Sequence, residues 1–206
     1  MATTKAPLFG LDASGALGGS IVFSKWRGRT YVRRLSIPSN PRSGLQVGMR
    51  SSMKFITQDF TNLTVAQKAA WDTLAAVTNI TQLNAQVQDA QRRTRRNLGI
   101  RRGPAESAGT TPSLPVIDTV TAQPKTLVLD WTAGATAPEY AWMIFRDPVT
   151  AFTPDISNMI GIVAAATLTF TDIGLTTGVE QFYSMKGVNF DGELGALAVE
   201  NSGTPT

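Results

Sequence analysis

Beyond residue 115 the sequence is cut every ten or so residues by Gly, Pro, Asp or Asn, and the pieces between the cuts are short and rich in β-branched and aromatic residues. They read PVIDTVTA, KTLVLDWTA, EYAWMIFRD, MIGIVAAA, TLTFTD, VEQFYSMKGVN and LGALAVEN. About seven strands in about 90 residues is the spacing of a two-sheet sandwich. A period of two puts Leu127, Leu129 and Trp131 on one face of their strand and Tyr140, Trp142 and Ile144 on one face of theirs. These inward sets supply a core without disulfides, since the chain has no cysteine.

The first half follows other periods. Residues 18–26 and 29–37 flank Arg27-Gly28 and predict a β-hairpin in which Gly28 supplies positive φ. With Arg27 and Gly28 as the loop, Trp26 faces Arg29, Ser24 faces Tyr31 and Val22 faces Arg33 on one side, while Phe23 faces Val32 and Ile21 faces Arg34 on the other. A hairpin alone is marginal in water, so this one needs helices or a partner to lie against. Pro38 and Pro41 end the strand in an extended turn. Met49, Met53, Ile56 and Phe60 then mark a helix over 44–59, with these side chains as its apolar stripe. Thr64 and Gln67 have capping-box spacing before a second helix over 65–77, which carries Trp71. A third helix starts near Gln82, shows Leu83, Val87, Ala90, Thr94 and Leu98 on one face, and is expected to end at Gly99. The simplest use for the methionine and aromatic stripe is a small helical core.

Charge divides with the pattern. Residues 1–103 hold sixteen Lys and Arg against four Asp and Glu, whereas residues 104–206 hold three against eleven. The segment GPAESAGTTP lies at the border and has linker composition. The expected fold class is α+β in two domains: a basic hairpin and about three helices over 1–103, a linker over 104–112, and an all-β, Ig-like sandwich over 113–202. The head MATTKAPL and the tail NSGTPT are expected to have little regular structure.

Several chemistries are excluded by composition. Without His or Cys the chain cannot assemble a Ser-His-Asp or Cys-His centre, a histidine or cysteine zinc site, or the usual proton shuttle near neutral pH. No paired-carboxylate motif stands out, NFDGE lacks the spaced oxygens of a calcium loop, and no enzyme activity, metal or cofactor is expected. The most apolar window, MIGIVAAA, is far shorter than the roughly 20 residues a membrane helix needs, and no targeting peptide or membrane span is expected.

Two resemblances follow from particular residues. The run SIVFSKWRGRTYVRR, a Pro-Asn-Pro turn, and a helix opening LTVAQKAAWDTLA resemble a group of small tailed-bacteriophage proteins encoded among the structural genes. The pattern falls on Lys25, Trp26, Arg27, Gly28, Tyr31, Val32, Arg33, Pro38, Asn40, Pro41, Lys68, Ala69, Ala70 and Trp71, and covers residues 15–100. It implies a virion component. The second half is similar to fibronectin type III domains: Leu129-Asp130-Trp131-Thr132 stands at the buried strand-B tryptophan, 142–146 at strand C, and Leu175 with Gly178 at the corner before strand F. The tyrosine that the family places six residues after that leucine is here Gln181, with Phe182 and Tyr183 next.

The candidate partner-binding residues are Trp26, Arg27, Arg29, Tyr31, Arg33 and Arg34 on the hairpin, and Arg92, Arg93, Arg95 and Arg96 near the end of the third helix. Arg, Trp and Tyr are enriched among interface hot spots. The resulting expectation is a multi-copy structural protein of a tailed-phage virion, made in the host cytoplasm and fixed to other head, neck or tail proteins by its basic half. Two alternatives use the same residues differently: nucleic-acid binding through the arginines, with Trp26 and Tyr31 as stacking platforms, or contact of exposed sandwich aromatics with a host-surface glycan. A fourth use is internal, the arginines meeting the acidic half of their own chain.

Overall fold

The computed structural model describes residues 15–17, 20–27, 29–36 and 43–206, with the side chains of residues 17, 25, 26, 29 and 30 left out. The expected φ of Gly28, the Pro38 and Pro41 turn, the head of the chain, and the side-chain roles given to Trp26 and Arg29 lie outside the described residues. The chain parts into two compact units, Met1–Pro41 and Arg42–Thr206.

The small unit is a three-stranded antiparallel sheet, β1 (Gly15–Leu17), β2 (Ile21–Trp26) and β3 (Arg29–Arg34), in that order. The register pairs Trp26 with Arg29, Ser24 with Tyr31 and Ile21 with Arg34, the pairing that a two-residue turn implies. Arg27 takes positive φ, at 49°. The third strand was not anticipated: β1 pairs Gly15 with Phe23 and Leu17 with Ile21, so β2 is a central strand.

In the large unit α1 (Gly44–Asp59) runs into a 3-10 turn, Phe60–Asn62, followed by α2 (Val65–Thr78) and α3 (Gln82–Thr94). The capping box at Thr64 and Gln67 is present in both directions. Helix α3 stops earlier than expected. Its end is turned by Asn97 in the left-handed region, φ 55°, with the Leu98 and Asn97 amides bonding back to Arg93 and Thr94. Gly99 serves another purpose, since a Cβ there would lie 2.7 Å from Val188 and 2.8 Å from the Gly192 carbonyl oxygen.

The strands β4 (Val116–Gln123), β5 (Thr126–Thr132), β6 (Ala141–Asp147), β7 (Met159–Ala164), β8 (Thr169–Ile173), β9 (Gln181–Val188) and β10 (Asn201–Gly203) make two sheets, β4-β5-β8 and β10-β9-β6-β7. This three-on-four antiparallel arrangement is an Ig-like, fibronectin type III-like sandwich. LGALAVEN is not a regular strand. It makes an isolated bridge from Leu194 to Val188, and the Gly195 and Ala198 amides bond the Gly187 and Met185 carbonyls of β9. Conversely, the tail is ordered into β10, and the Thr206 amide and carbonyl bond Gln123 and Lys125.

Helices and sandwich form three layers. Between the sheets lie Leu127, Leu129, Trp131, Trp142, Ile144, Tyr183 and Met185. The opposite face of the four-stranded sheet presents Ala141, Met143, Phe145, Met159 and Val188 to Phe55, Ile56, Ala90 and Ile100 of the helical layer. Strand β6 is therefore buried on both faces, and Tyr140, expected beside Trp142, packs instead edge-on against Phe55 with ring centroids 5.2 Å apart. A smaller cluster of Leu63, Trp71, Ala75 and Ala85 joins the helices to one another.

This layering corrects the division expected at 104–112. The segment is fastened rather than loose. The Gln67 side-chain amide donates to Glu106 at 2.6 Å, the buried Asn189 side chain donates to the Thr110 carbonyl at 2.8 Å, and the Thr111 hydroxyl donates to Glu193 at 2.6 Å.

Candidate interaction surfaces

Arginine guanidinium groups are always charged, and their planar forks bond either a partner or their own chain. The candidates fall into both groups. On β3 of the small unit Arg33 and Arg34 are exposed and Tyr31 is half-buried, while Arg27 is exposed at the turn. In the large unit Arg92, Arg95 and Arg96 are exposed on the last turn of α3 and just beyond it. The two sets thus stand in different compact units.

Arg93 does not belong with its neighbours. Its Nε donates to the Gly99 carbonyl at 2.6 Å and one terminal nitrogen donates to the Gly192 carbonyl at 3.1 Å, tying the end of α3 to a sandwich loop. Burial lowers its pKa from the ordinary arginine value, with nearby Asp89 acting in the opposite direction. The next two arginines are also used internally. Arg101 holds Asp89 by two bonds of 2.8 Å. Arg102 donates to the Asn62 carbonyl at 2.8 Å, stands 3.8 Å from Asp59, and covers the Phe190 ring at 5.0 Å. Its backbone carbonyl accepts the Trp71 indole N–H at 2.9 Å and its amide donates to Phe190. One residue therefore joins the end of α1 and the middle of α2 to the sandwich. Sequence reasoning missed this hub because position along a helix tells which residues share a face, not which carbonyls lie beyond its end.

The acids of the sandwich have structural work as well. Arg146 donates to Asp172 at 2.6 Å, and the fully buried Tyr183 hydroxyl donates to the same Asp172 oxygen at 2.9 Å. That bond links β9 of one sheet to β8 of the other. Burial raises the Tyr183 pKa, and Asp172 adds to the rise. Glu200 accepts from the Thr150 hydroxyl and the amides of Ala151 and Phe152. Among the described residues no three acids lie together as a cation would need, and no helix is long and apolar enough to cross a membrane.

The aromatic candidates for sugar stacking face inward. Trp131, Trp142, Tyr140 and Tyr183, the tryptophans and tyrosines of the sandwich, are 2%, 0%, 4% and 0% exposed. None has a free ring face, which a stacked sugar would require.

A groove of about 860 Å³ lies between α1 and the edges of β7 and β8. Among the described residues Arg50, Lys54 and Gln58 form its helical wall, Ile160, Ile162 and Phe170 its apolar floor, and Arg146 with Asp172 one end.

No protein-family model matches the chain, and no curated protein matches it in sequence. Solved structures do resemble the sandwich. A beta-1,2-glucanase from Parabacteroides distasonis is similar over 50% of this chain and 14% of its own, at 13% identity and TM-score 0.43. An Fn3-like protein from Clostridium thermocellum is similar over 47% of this chain and 96% of its own, at 20% identity and TM-score 0.37. The fibronectin type-III domain of human fibronectin type III domain containing protein 3 is similar over 49% and 92%, at 15% identity and TM-score 0.40. The chain thus spans a small part of the glucanase, and likenesses at this level bear on neither activity nor partner.

Proposed function

We propose that the chain is a non-catalytic structural component of a tailed-phage virion, held in the head, neck or tail by its basic hairpin and presenting an Ig-like sandwich. The observation that carries this reading is the separation of charge between the compact units. Met1–Pro41 holds six Lys and Arg against one Asp, while the remainder holds thirteen against fourteen acids. The large unit balances its charge overall, in part through pairs such as Arg101–Asp89 and Arg146–Asp172, so the net positive charge belongs to the hairpin unit. Arg33 and Arg34, exposed on β3, are the anchors of choice, and the resemblance of residues 15–100 to phage structural proteins supplies the class of partner: other virion proteins, met in many copies. The virion is then its place of residence and the host cytoplasm its place of synthesis.

Nucleic-acid contact is the second reading, favoured by exposed Arg92, Arg95 and Arg96. Co-sedimentation separates the two. Purified chain is mixed with phage particles or subassemblies lacking it, and with naked DNA in parallel, at physiological salt. Saturable particle binding abolished in Arg33→Glu/Arg34→Glu supports the anchor. DNA binding that falls steeply with salt, without particle binding, replaces it with the second reading.

A further inference from the structure

We infer that the groove between α1 and the edges of β7 and β8 receives an extended acidic segment of a partner protein, added as a strand along β7 with a carboxylate against Lys54. This does not rest on the virion reading. Among the described residues β7 pairs with β6 alone and β8 with β5 alone, so each ends its sheet. The Ala165 amide bonds the Tyr140 carbonyl, and the register then alternates, turning the N–H groups of Ile162 and Ala164 away from β6. The Ile162 carbonyl turns the same way, and Thr167 takes that of Ala164. By the same alternation from the Trp131–Leu168 bond, Thr169 and Thr171 of β8 turn away from β5.

Edge strands are ordinarily guarded by charge, proline or a bulge. Strand β7, MIGIVA, has no charge and no proline; its register shifts between Met159 and Gly161, so the regular edge is residues 161–164, about 13 Å long. Its floor is apolar and divided, because the Phe170 ring lies directly over Gly161, where a Cβ would come within 2.6 Å. Such an edge suits strand addition, in which main-chain bonds give affinity and alternate side chains give specificity.

Charge selects the occupant. The helical wall brings Lys54 over the groove. The acids that line it are engaged elsewhere: Asp172 by Arg146 and Tyr183, and Asp59 by Arg102. A second copy paired edge to edge through β7 would bring the Lys54 side chains of both copies to one seam, which like charge disfavours. An acidic strand meets no such penalty.

The test selects binders from a displayed library of random nonapeptides using the full chain. The expected binders alternate apolar residues with others and carry Asp or Glu at one fixed place. They perturb the backbone amide resonances of Ile162, Ala164 and Lys54, and bind at least tenfold more weakly to Ala164→Pro, which removes one outward N–H from an exposed edge position. Lys54→Glu, a surface change checked for intact fold by circular dichroism, is expected to reverse the selection toward basic peptides. No enrichment, binders with unchanged sequence on Lys54→Glu, or perturbations confined to residues 20–36 would each overturn the proposal. So would self-association lost in Ala164→Pro, which would assign the edge to a second copy.

Discussion

A methyl group added at Gly48 would run into the Ile156 carbonyl oxygen, and one at Gly44 into that of Ser157. Both carbonyls belong to a loop held by Asp155, whose carboxylate accepts the Ser157 amide and hydroxyl at 2.6 Å, and backbone in such a loop yields little. Gly48→Ala is therefore expected to cost about 1–3 kcal/mol, read as a lower urea midpoint. Met53→Ala, at a side chain 52% exposed, should stay within about 0.5 kcal/mol of the parent. The same scale carries a pH effect. Burial raises the pKa of both Tyr140 and Tyr183, with Asp59 and Asp172 respectively adding to it. Each phenol stays neutral in the fold while the unfolded chain ionises near pH 10. The stability they confer is full below that pH and declines above it, at about 1.4 kcal/mol per pH unit for each tyrosine. Tyr140→Phe should flatten the alkaline slope of unfolding free energy by one group's share, and an unchanged slope would refute the assignment.

Elements were legible in the sequence where their own periodicity governs and illegible where a neighbour does. The hairpin register and the α2 capping box depend on residues a few positions apart, and both stand as read. The buried face of α1 does not. Hydrophobicity selected Met49, Met53, Ile56 and Phe60; Ile56 is buried as expected, but Met53 is exposed, and Gly48, Ser52 and Phe55 join Ile56 on the inward face, because a row of small side chains lets the helix approach the loop before β7. The signal for β6 was present and misread. In AWMIF every residue is apolar, and such a continuous run marks a strand covered on both faces; counting only Tyr140, Trp142 and Ile144 hid the helical layer. The arginine run misled for a related reason, treating as one patch a set whose members split between solvent and carbonyls. Arg102→Ala, which unties α1, Phe190 and a carbonyl at once, should destabilise by about 2 kcal/mol. Arg92→Ala/Arg95→Ala/Arg96→Ala should change the urea midpoint little, since these side chains are exposed. Equal losses from the two variants would contradict the division of labour among the arginines.

For the whole molecule the consequence concerns what can fold alone. A sandwich cut at residue 113, where composition changes, would expose Met143, Phe145, Met159 and Val188, each at most 4% exposed in the chain. Fully burying one such side chain is worth roughly 1.5–3 kcal/mol, so losing the cover of several approaches the 5–15 kcal/mol by which domains are stable at all. Residues 113–206 are thus expected to aggregate or to bind a hydrophobic dye, whereas residues 42–206, which keep α1 and α3 on the sheet, should remain monodisperse. Because one core spans helices and sheet, helical and near-ultraviolet circular dichroism of the full chain should lose their signals at the same temperature across that unit. Two separated transitions, or a stable and soluble 113–206 fragment, would show that the helical layer is an accessory to the sandwich and not part of its core.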